Sequence, residues 1–386
     1  MRVLFTTVPL HGHFFPMVPL AHALGAAGHE VLVATPASFT DVVTDAGLPT
    51  ARSAPPLNFS EIMTVDRNGK KIAPARTAGE RQEAAGRAWG RLTARTLDRT
   101  LELADRWRPD MIISEPGEHA GSLAAEIRGV PWIEHGWGVS TMPEARSPAR
   151  EELAPELAHL GLPDLPEPDL HLHPCPPGLQ RPQAPGSRNQ HMRYIPYSGT
   201  AVLSDWILRK QDRPQVCLAL GSHLARAGFR DFTAMLAEVA AALPSLGVDL
   251  VVGLEDTIES GWTPLPAGVH SAGWLPLGLV APSCDLIIHH GRSGSMLTAV
   301  AAGLPQLALP QAADQFENAT CITDFGAGRQ LVGDNVTAEL IVEACREMLG
   351  NPSYRDRAAV LTAENAAQPT PADVVSVLCT LIPALV

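Results

Sequence analysis

The sequence predicts an α/β protein built from two Rossmann-like halves, each a doubly wound parallel sheet. Three observations predict it. The chain has 386 residues, more than one hydrophobic core usually serves. It opens with a strand–helix–strand unit, and a second series of alternating strands and helices starts after a proline-rich interruption.

MRVLFTT is a short apolar run that suits a strand and ends in a Pro/Gly/His loop. MVPLAHALGAAG then repeats apolar residues at helical spacing until Gly28 closes it, and EVLVATP follows as a second strand. Parallel strands joined by a helix are the seed of a doubly wound sheet. From about Leu57 to Leu103 the chain is richer in charge and reads as surface loops followed by an amphipathic helix, ending in DRWRPD. MIIS is the next strand, AGSLAAEIRGV a helix and PWIEHGW another strand. The segment from Pro143 to Pro196 carries much of the proline, including PDLPEPDLHLHPCPPG, and reads as loops and a linker.

The second series begins near Gln215. VCLALGS, VDLVVGL, DLIIHHG and PQLALP read as strands, with FRDFTAMLAEVAAAL and SMLTAVAAG as helices. At the end, Thr370-Pro371-Ala372-Asp373 sets a capping hydroxyl, a proline at the first helical position and a carboxylate in the first turn before VVSVLCTLI. The expected domains are 1–205, 206–367 and a C-terminal helix over 368–386.

A formal charge of −12 disfavours nucleic acid, whose phosphates need clustered Lys and Arg, so a small ligand is expected. Cys175, Cys217, Cys284, Cys321, Cys345 and Cys379 lack CxxC pairing and read as reduced core thiols of a cytoplasmic protein. Arg2 before an apolar run superficially suits a signal peptide, but two histidines and three prolines interrupt the run, which suits a folded unit better. Neither a membrane nor a bound metal is expected.

The richest stretch is HHGRSGSMLTAVAAG, beginning at His289. It is strand, tight turn and helix, and the turn's backbone N–H groups at a helix N-terminus bind anions. It lacks the Gly-Lys-Ser/Thr ending of a P-loop, the GxGxxG fingerprint and, with Ser295 in place of the last glycine, the GxSxG elbow.

Followed by TAVAAGLPQLALPQAADQFENA, it resembles the donor-site signature of family 1 NDP-sugar glycosyltransferases of the GT-B fold. HPCPPGLQ, MRYIPYSGT, LSDWI and PTPADVV extend the resemblance over nearly the whole chain, to actinomycete enzymes that attach deoxysugars to antibiotics such as calicheamicin and aromatic polyketides. The resemblance implies two Rossmann-like domains facing across a cleft, with the last helix crossing back to the first domain. It implies that His290, Gly291, Ser293, Gly294 and Ser295 hold the donor diphosphate, with Gly221 and Ser222 on a second glycine-rich turn. Trp274 and Leu275 fall beside the nucleobase, and Asp314 and Gln315 on the sugar. Arg292 stands where the family usually has glycine, so its side chain either points outward or adds a phosphate contact.

In the same family a histidine in a Gly-His-x-x-Pro context takes the acceptor's proton, and His13 in Gly12-His13-Phe14-Phe15-Pro16 matches. Neutral imidazole suits that work, and its carboxylate partner falls at Glu115, with Glu118 and His119 as neighbours in SEPGEHAGSLAAE that could compete. His11 and His22 read as structural. The implied reaction is an inverting, metal-independent transfer from a dTDP-linked deoxysugar to an apolar or aromatic small-molecule acceptor, with a homodimer as a candidate assembly. Two other readings share the diphosphate site: a nucleotide-sugar epimerase and a catalytically silent helper of a partner transferase.

Overall fold

The computed structural model describes residues 1–382 apart from residues 76, 140–142, 181–187, 209–211, 220–231, 254–267, 312–313 and 334–335. Thirteen parallel strands among the described residues form two sheets. The first orders β3-β2-β1-β4-β5-β6-β7, from β1 (Arg2–Thr6), β2 (Glu30–Pro36), β3 (Thr50–Ala54), β4 (Met111–Ser114), β5 (Trp132–His135), β6 (Leu170–His173) and β7 (Asn189–His191). The second orders β10-β9-β8-β11-β12-β13, from β8 (Gln215–Ala219), β9 (Asp249–Gly253), β10 (Val269–Gly273), β11 (Leu286–His289), β12 (Gln306–Ala308) and β13 (Gly328–Gln330). Each chain order reverses once, between β1 and β4 and again between β8 and β11.

Contacts divide the chain into two compact units. The first holds the described residues of Met1–Pro174, Arg181–Arg193 and Gln368–Val386; the second holds those of Cys175–Gln180 and Tyr194–Ala367. In the first, Leu4, Ile112 and Trp132 of the sheet pack against Ala104 and Ala124 of the helices. In the second, Val216, Leu250, Leu286 and Leu307 do the same with Val239 and Ile341. Each such Leu or Ile stabilises the fold by roughly 1.5–3 kcal/mol. The continuous apolar runs of MIIS and DLIIH follow from burial on both faces of a parallel sheet.

The proline-rich segment departs from expectation. Helices Pro143–Glu152 and Ala154–Leu160 and strands β6 and β7 lie where loops and a linker are predicted. Its prolines punctuate elements more often than they interrupt them: Pro155 opens the second helix and Pro174 follows β6, although Pro148 lies within the first helix. A short helix, Phe59–Thr64, lies among the loops expected after Leu57, and the amphipathic helix that follows is long, Ala78–Trp107, with a capping box between Thr77 and Glu80. Its Gly86 and Gly90 let the Pro143–Glu152 helix approach closely: a β-carbon at Gly86 would collide with the Ala145 carbonyl, and one at Gly90 would lie 2.7 Å from Glu152 Cβ.

The Thr370 cap forms as expected, with Thr370 Oγ1 accepting from Asp373 N at 3.2 Å, and the Pro371–Cys379 helix packs on the Val18–Ala26 helix within the first unit. Five cysteines are buried and free. Cys379 corrects the expectation of core thiols throughout: it is exposed at the end of the last helix, 3.7 Å from His29 Nε2.

Candidate active site

The two reversals of strand order place the residues that matter, because the loops leaving neighbouring strands diverge there and open a crevice at their carboxyl ends. At the first, β1 and β4 pair with Thr6 opposite Ser114, so the loop after β1 and Glu115 leave the sheet side by side. The loop turns into the short His11–Phe14 helix, which carries His13.

His13 Nδ1 lies 3.0 Å from Glu115 Oε2, joining residues 102 apart in sequence. The Glu115 side chain is fully buried and that of His13 is 14% exposed. Glu115 also accepts from Gly117 N at 2.6 Å and Val8 N at 3.1 Å, so its carboxylate cannot rotate away from the imidazole. An acceptor at Nδ1 puts the proton there and leaves the Nε2 lone pair to take another. The ring packs against Trp137 at 4.2 Å between centroids and against Trp89 at 6.4 Å.

Glu118 and His119 do not meet His13. Glu118 accepts from Ala120 N at 3.0 Å and Gly121 N at 2.9 Å, at the start of the Ala120–Arg128 helix, and burial pushes its carboxyl up to about 7. His119 is buried with its backbone N–H on Thr93 Oγ1 at 3.3 Å, and burial holds its imidazole down to about 4. His22 Nε2 meets the Ala46 carbonyl at 2.8 Å, and His11 stands edge-on to Phe15 and Phe39, both as structural residues.

At the second reversal β8 pairs with β11, Ala219 opposite His289. Gly221 and Ser222 lie outside the described residues. His289 is an internal pin: its Nδ1 accepts from Gly291 N at 2.9 Å and its Nε2 faces Gln306 Oε1 at 2.8 Å, and burial holds it down to about 4. Buried His290 follows it. Gly291 has φ +90°, and a β-carbon there would lie 2.8 Å from the Gln315 carbonyl, so only glycine fits.

The Ser293–Ala302 helix then begins. Its first intrahelical bond of the usual spacing runs from Met296 N to Arg292 O at 3.0 Å, leaving the N–H groups of Ser293, Gly294 and Ser295 at the positive end of the helix dipole. Arg292 is exposed. Ser293 Oγ donates to Asp314 Oδ2 at 3.0 Å, so its hydroxyl proton is committed inside the protein. Asn318 Nδ2 reaches Gly291 O at 2.8 Å, Ser293 Oγ at 3.0 Å and Asp314 Oδ2 at 3.2 Å, bracing the turn from the Gln315–Phe325 helix. Gln315 is buried, with Oε1 accepting from Gln311 N at 2.8 Å. Trp274, after β10, is 47% exposed, while Leu275 packs partly into the core beside Cys217 and Val251.

Sequence reasoning missed Asn318, Trp137 and Trp89. Asn318 stands four residues after Asp314 on a helix, a spacing that puts both side chains on one face. Trp137 follows the carboxyl end of β5, a position that was itself a signal; Trp89, in mid-helix, offered none. Among the described residues, no group of three His, Cys, Asp or Glu side chains is arranged to hold a metal ion, and no helix is long and apolar enough to cross a membrane.

Residues 22–221 match the erythromycin biosynthesis protein CIII-like N-terminal domain, and residues 237–381 match the corresponding C-terminal domain. The chain is 40% identical to the L-demethylnoviosyl transferase of Streptomyces niveus, covering 96% of each, and 31% identical to the tylactone mycaminosyltransferase of Streptomyces fradiae, covering 97% of this chain and 91% of that one. Among solved structures it is similar to the glycosyltransferase SsfS6 of Streptomyces sp. SF2575 complexed with thymidine diphosphate, at TM-score 0.87, 35% identity and coverage of 98% and 99%. It is also similar to the spinosyn rhamnosyltransferase SpnG complexed with spinosyn aglycone, at TM-score 0.83, 32% identity and coverage of 98% and 100%. With its two parallel sheets, the chain therefore belongs to the erythromycin biosynthesis protein CIII-like family, GT-B glycosyltransferases of actinomycete antibiotic pathways.

Proposed function

We propose that this glycosyltransferase moves a deoxysugar from a dTDP-sugar to an apolar or aromatic acceptor, with inversion and without a metal ion. The observation that carries the reading is the 3.0 Å contact of His13 Nδ1 with Glu115 Oε2. Nε2 takes the acceptor's proton as the nucleophile attacks the anomeric carbon, and the bond from that carbon to the diphosphate oxygen breaks on the opposite side. Glu115 fixes the tautomer and stabilises the imidazolium that forms.

The departing diphosphate gains charge, and fixed donors stabilise it without reorganising. In this reading those donors are the amides of Ser293, Gly294 and Ser295 with His290, Gly221 and Ser222; the Gly291 amide, expected among them, instead donates to His289 Nδ1 at 2.9 Å, and Gly291 serves by shaping the turn. Asp314 and Gln315 meet the sugar, and Trp274 and Leu275 the thymine. The first compact unit serves the acceptor and the second, which includes Tyr194, the donor. Thymidine diphosphate bound to SsfS6 and to SpnG supports the choice of base. Relatives named as transferases leave the epimerase and helper readings with no observation in their favour.

The test is incubation with a dTDP-deoxysugar and an aromatic acceptor in chelator, with the product's anomeric configuration read by NMR. An inverted glycoside is expected. Retention would overturn the single displacement, and activity restored only by added magnesium would overturn metal independence.

A further inference from the structure

Tyr194 lies far from the donor turn in sequence, and the structure brings the two together. Its phenol donates to the Gly294 carbonyl at 3.3 Å, across 100 residues, and the side chain is 95% buried, with Thr298 as its other partner. Burial pushes the phenol above its ordinary pKa, so it keeps the proton it donates. The backbone of Tyr194 is clamped from both sides: its N–H donates to Asn365 Oδ1 at 3.0 Å, and Asn365 Nδ2 donates to its carbonyl at 3.1 Å. Two residues on, Pro196 sits against Gly278, where a β-carbon would lie 2.9 Å away, and Ser198 Oγ accepts from Gly278 N at 3.2 Å. All these residues belong to the second unit. The phenol is thus held at a fixed point, and what it holds is a peptide group.

A trans peptide is planar, with its C=O and the following N–H pointing in opposite directions. Fixing the Gly294 carbonyl therefore fixes the Ser295 N–H, one of the three amides at the head of the helix with no acceptor inside it. A donor on the carbonyl also polarises the amide and strengthens its N–H as a donor in turn. Glycine has the least intrinsic restraint on its own peptide, so Gly294 benefits from an external one.

We propose that Tyr194 is a positioning residue of the donor site, aiming and polarising the Gly294–Ser295 peptide so that the Ser295 N–H meets the donor diphosphate. This rests on the reading of the turn as the diphosphate site.

The experiment is calorimetric titration of dTDP and of thymidine into wild type and Tyr194→Phe, with the thermal midpoint of each protein recorded. Thymidine carries the base and sugar but no phosphate. Expected is a loss of about three- to tenfold in dTDP affinity in the variant, the scale of one hydrogen bond, with thymidine affinity unchanged. Equal losses for both ligands would make Tyr194 merely structural, and unchanged dTDP affinity would show that the phenol does not act on the turn; either overturns the proposal. Failure of wild type to bind dTDP would instead overturn the donor-site reading, and this inference with it.

Discussion

The His13–Glu115 pair, proposed as the catalytic base, and the turn proposed for the diphosphate stand at equivalent places in their two sheets and are built in opposite ways. His13 and Glu115 meet across 102 residues and work through two side chains, each held by its surroundings. The turn from His289 to Ser295 is contiguous and works through its backbone, with the side chains of His289, Ser293 and Asn318 turned inward as braces. A general base must present a lone pair that changes protonation, so a side chain is required. An anion cradle must stay fixed while charge arrives, so a backbone suffices.

Four measurements break or sharpen that contrast. The largest effect is expected on the side-chain half. His13→Ala lowers kcat/KM by about a thousandfold and Glu115→Gln by about a hundredfold, with dTDP affinity unchanged in both. Product formation and calorimetry on the same samples check this, and loss of dTDP binding would show that the two halves are not separable. On the backbone half, Gly291→Ala forces a β-carbon against the Gln315 carbonyl at a positive φ, and dTDP affinity falls by about tenfold. Normal binding by that variant would mean that the turn is not the cradle.

The third measurement concerns the buried histidines. His119, His135 and His289 are each held down to about 4 by burial, from an ordinary value of 6.5. Between pH 6.5 and 4 the unfolded chain binds protons that the folded protein excludes, so stability is lost as pH falls through that window. Glu118, pushed up to about 7 from 4.5, opposes them: the folded protein keeps a proton the unfolded chain releases, which adds stability as pH falls from 7 to 4.5. With three groups against one, thermal midpoints followed by circular dichroism fall between pH 6.5 and 4, and more steeply in Glu118→Gln. A flat profile in wild type would contradict neutral, buried histidines. The smallest effect is expected from Arg292→Ala, less than about twofold in dTDP affinity because the exposed guanidinium is screened by solvent. A tenfold loss would show the side chain reaching a phosphate.

Legibility in the sequence followed the same division. The strand–turn–helix from His289 could be read because it is specified by consecutive residues, small ones between a strand and a helix. His13 and Glu115 were legible through the family resemblance, His13 from its Gly-His-x-x-Pro context and Glu115 from its place before an Ala-rich helix. That Glu115 rather than Glu118 takes the imidazole depends on the register of β1 against β4, which is a long-range fact. Trp89 reaches its site through packing and carries no local mark, and Tyr194, although within the MRYIPYSGT segment of the resemblance, meets Gly294 only through the fold. The strands β6 and β7 were hidden because proline density suggests a linker, while the alternation in LHLH is too short to outweigh it.

The glycines at 86 and 90 bear on how acceptor scope could be altered. Trp89 lies between them on the same helix, and the Pro143–Glu152 helix rests against the bare backbone at both positions. Any larger residue there displaces a whole helix as a block. Libraries that randomise Trp89 and Trp137 while freezing Gly86 and Gly90 would therefore change the lining beside His13 and leave its supporting frame in place.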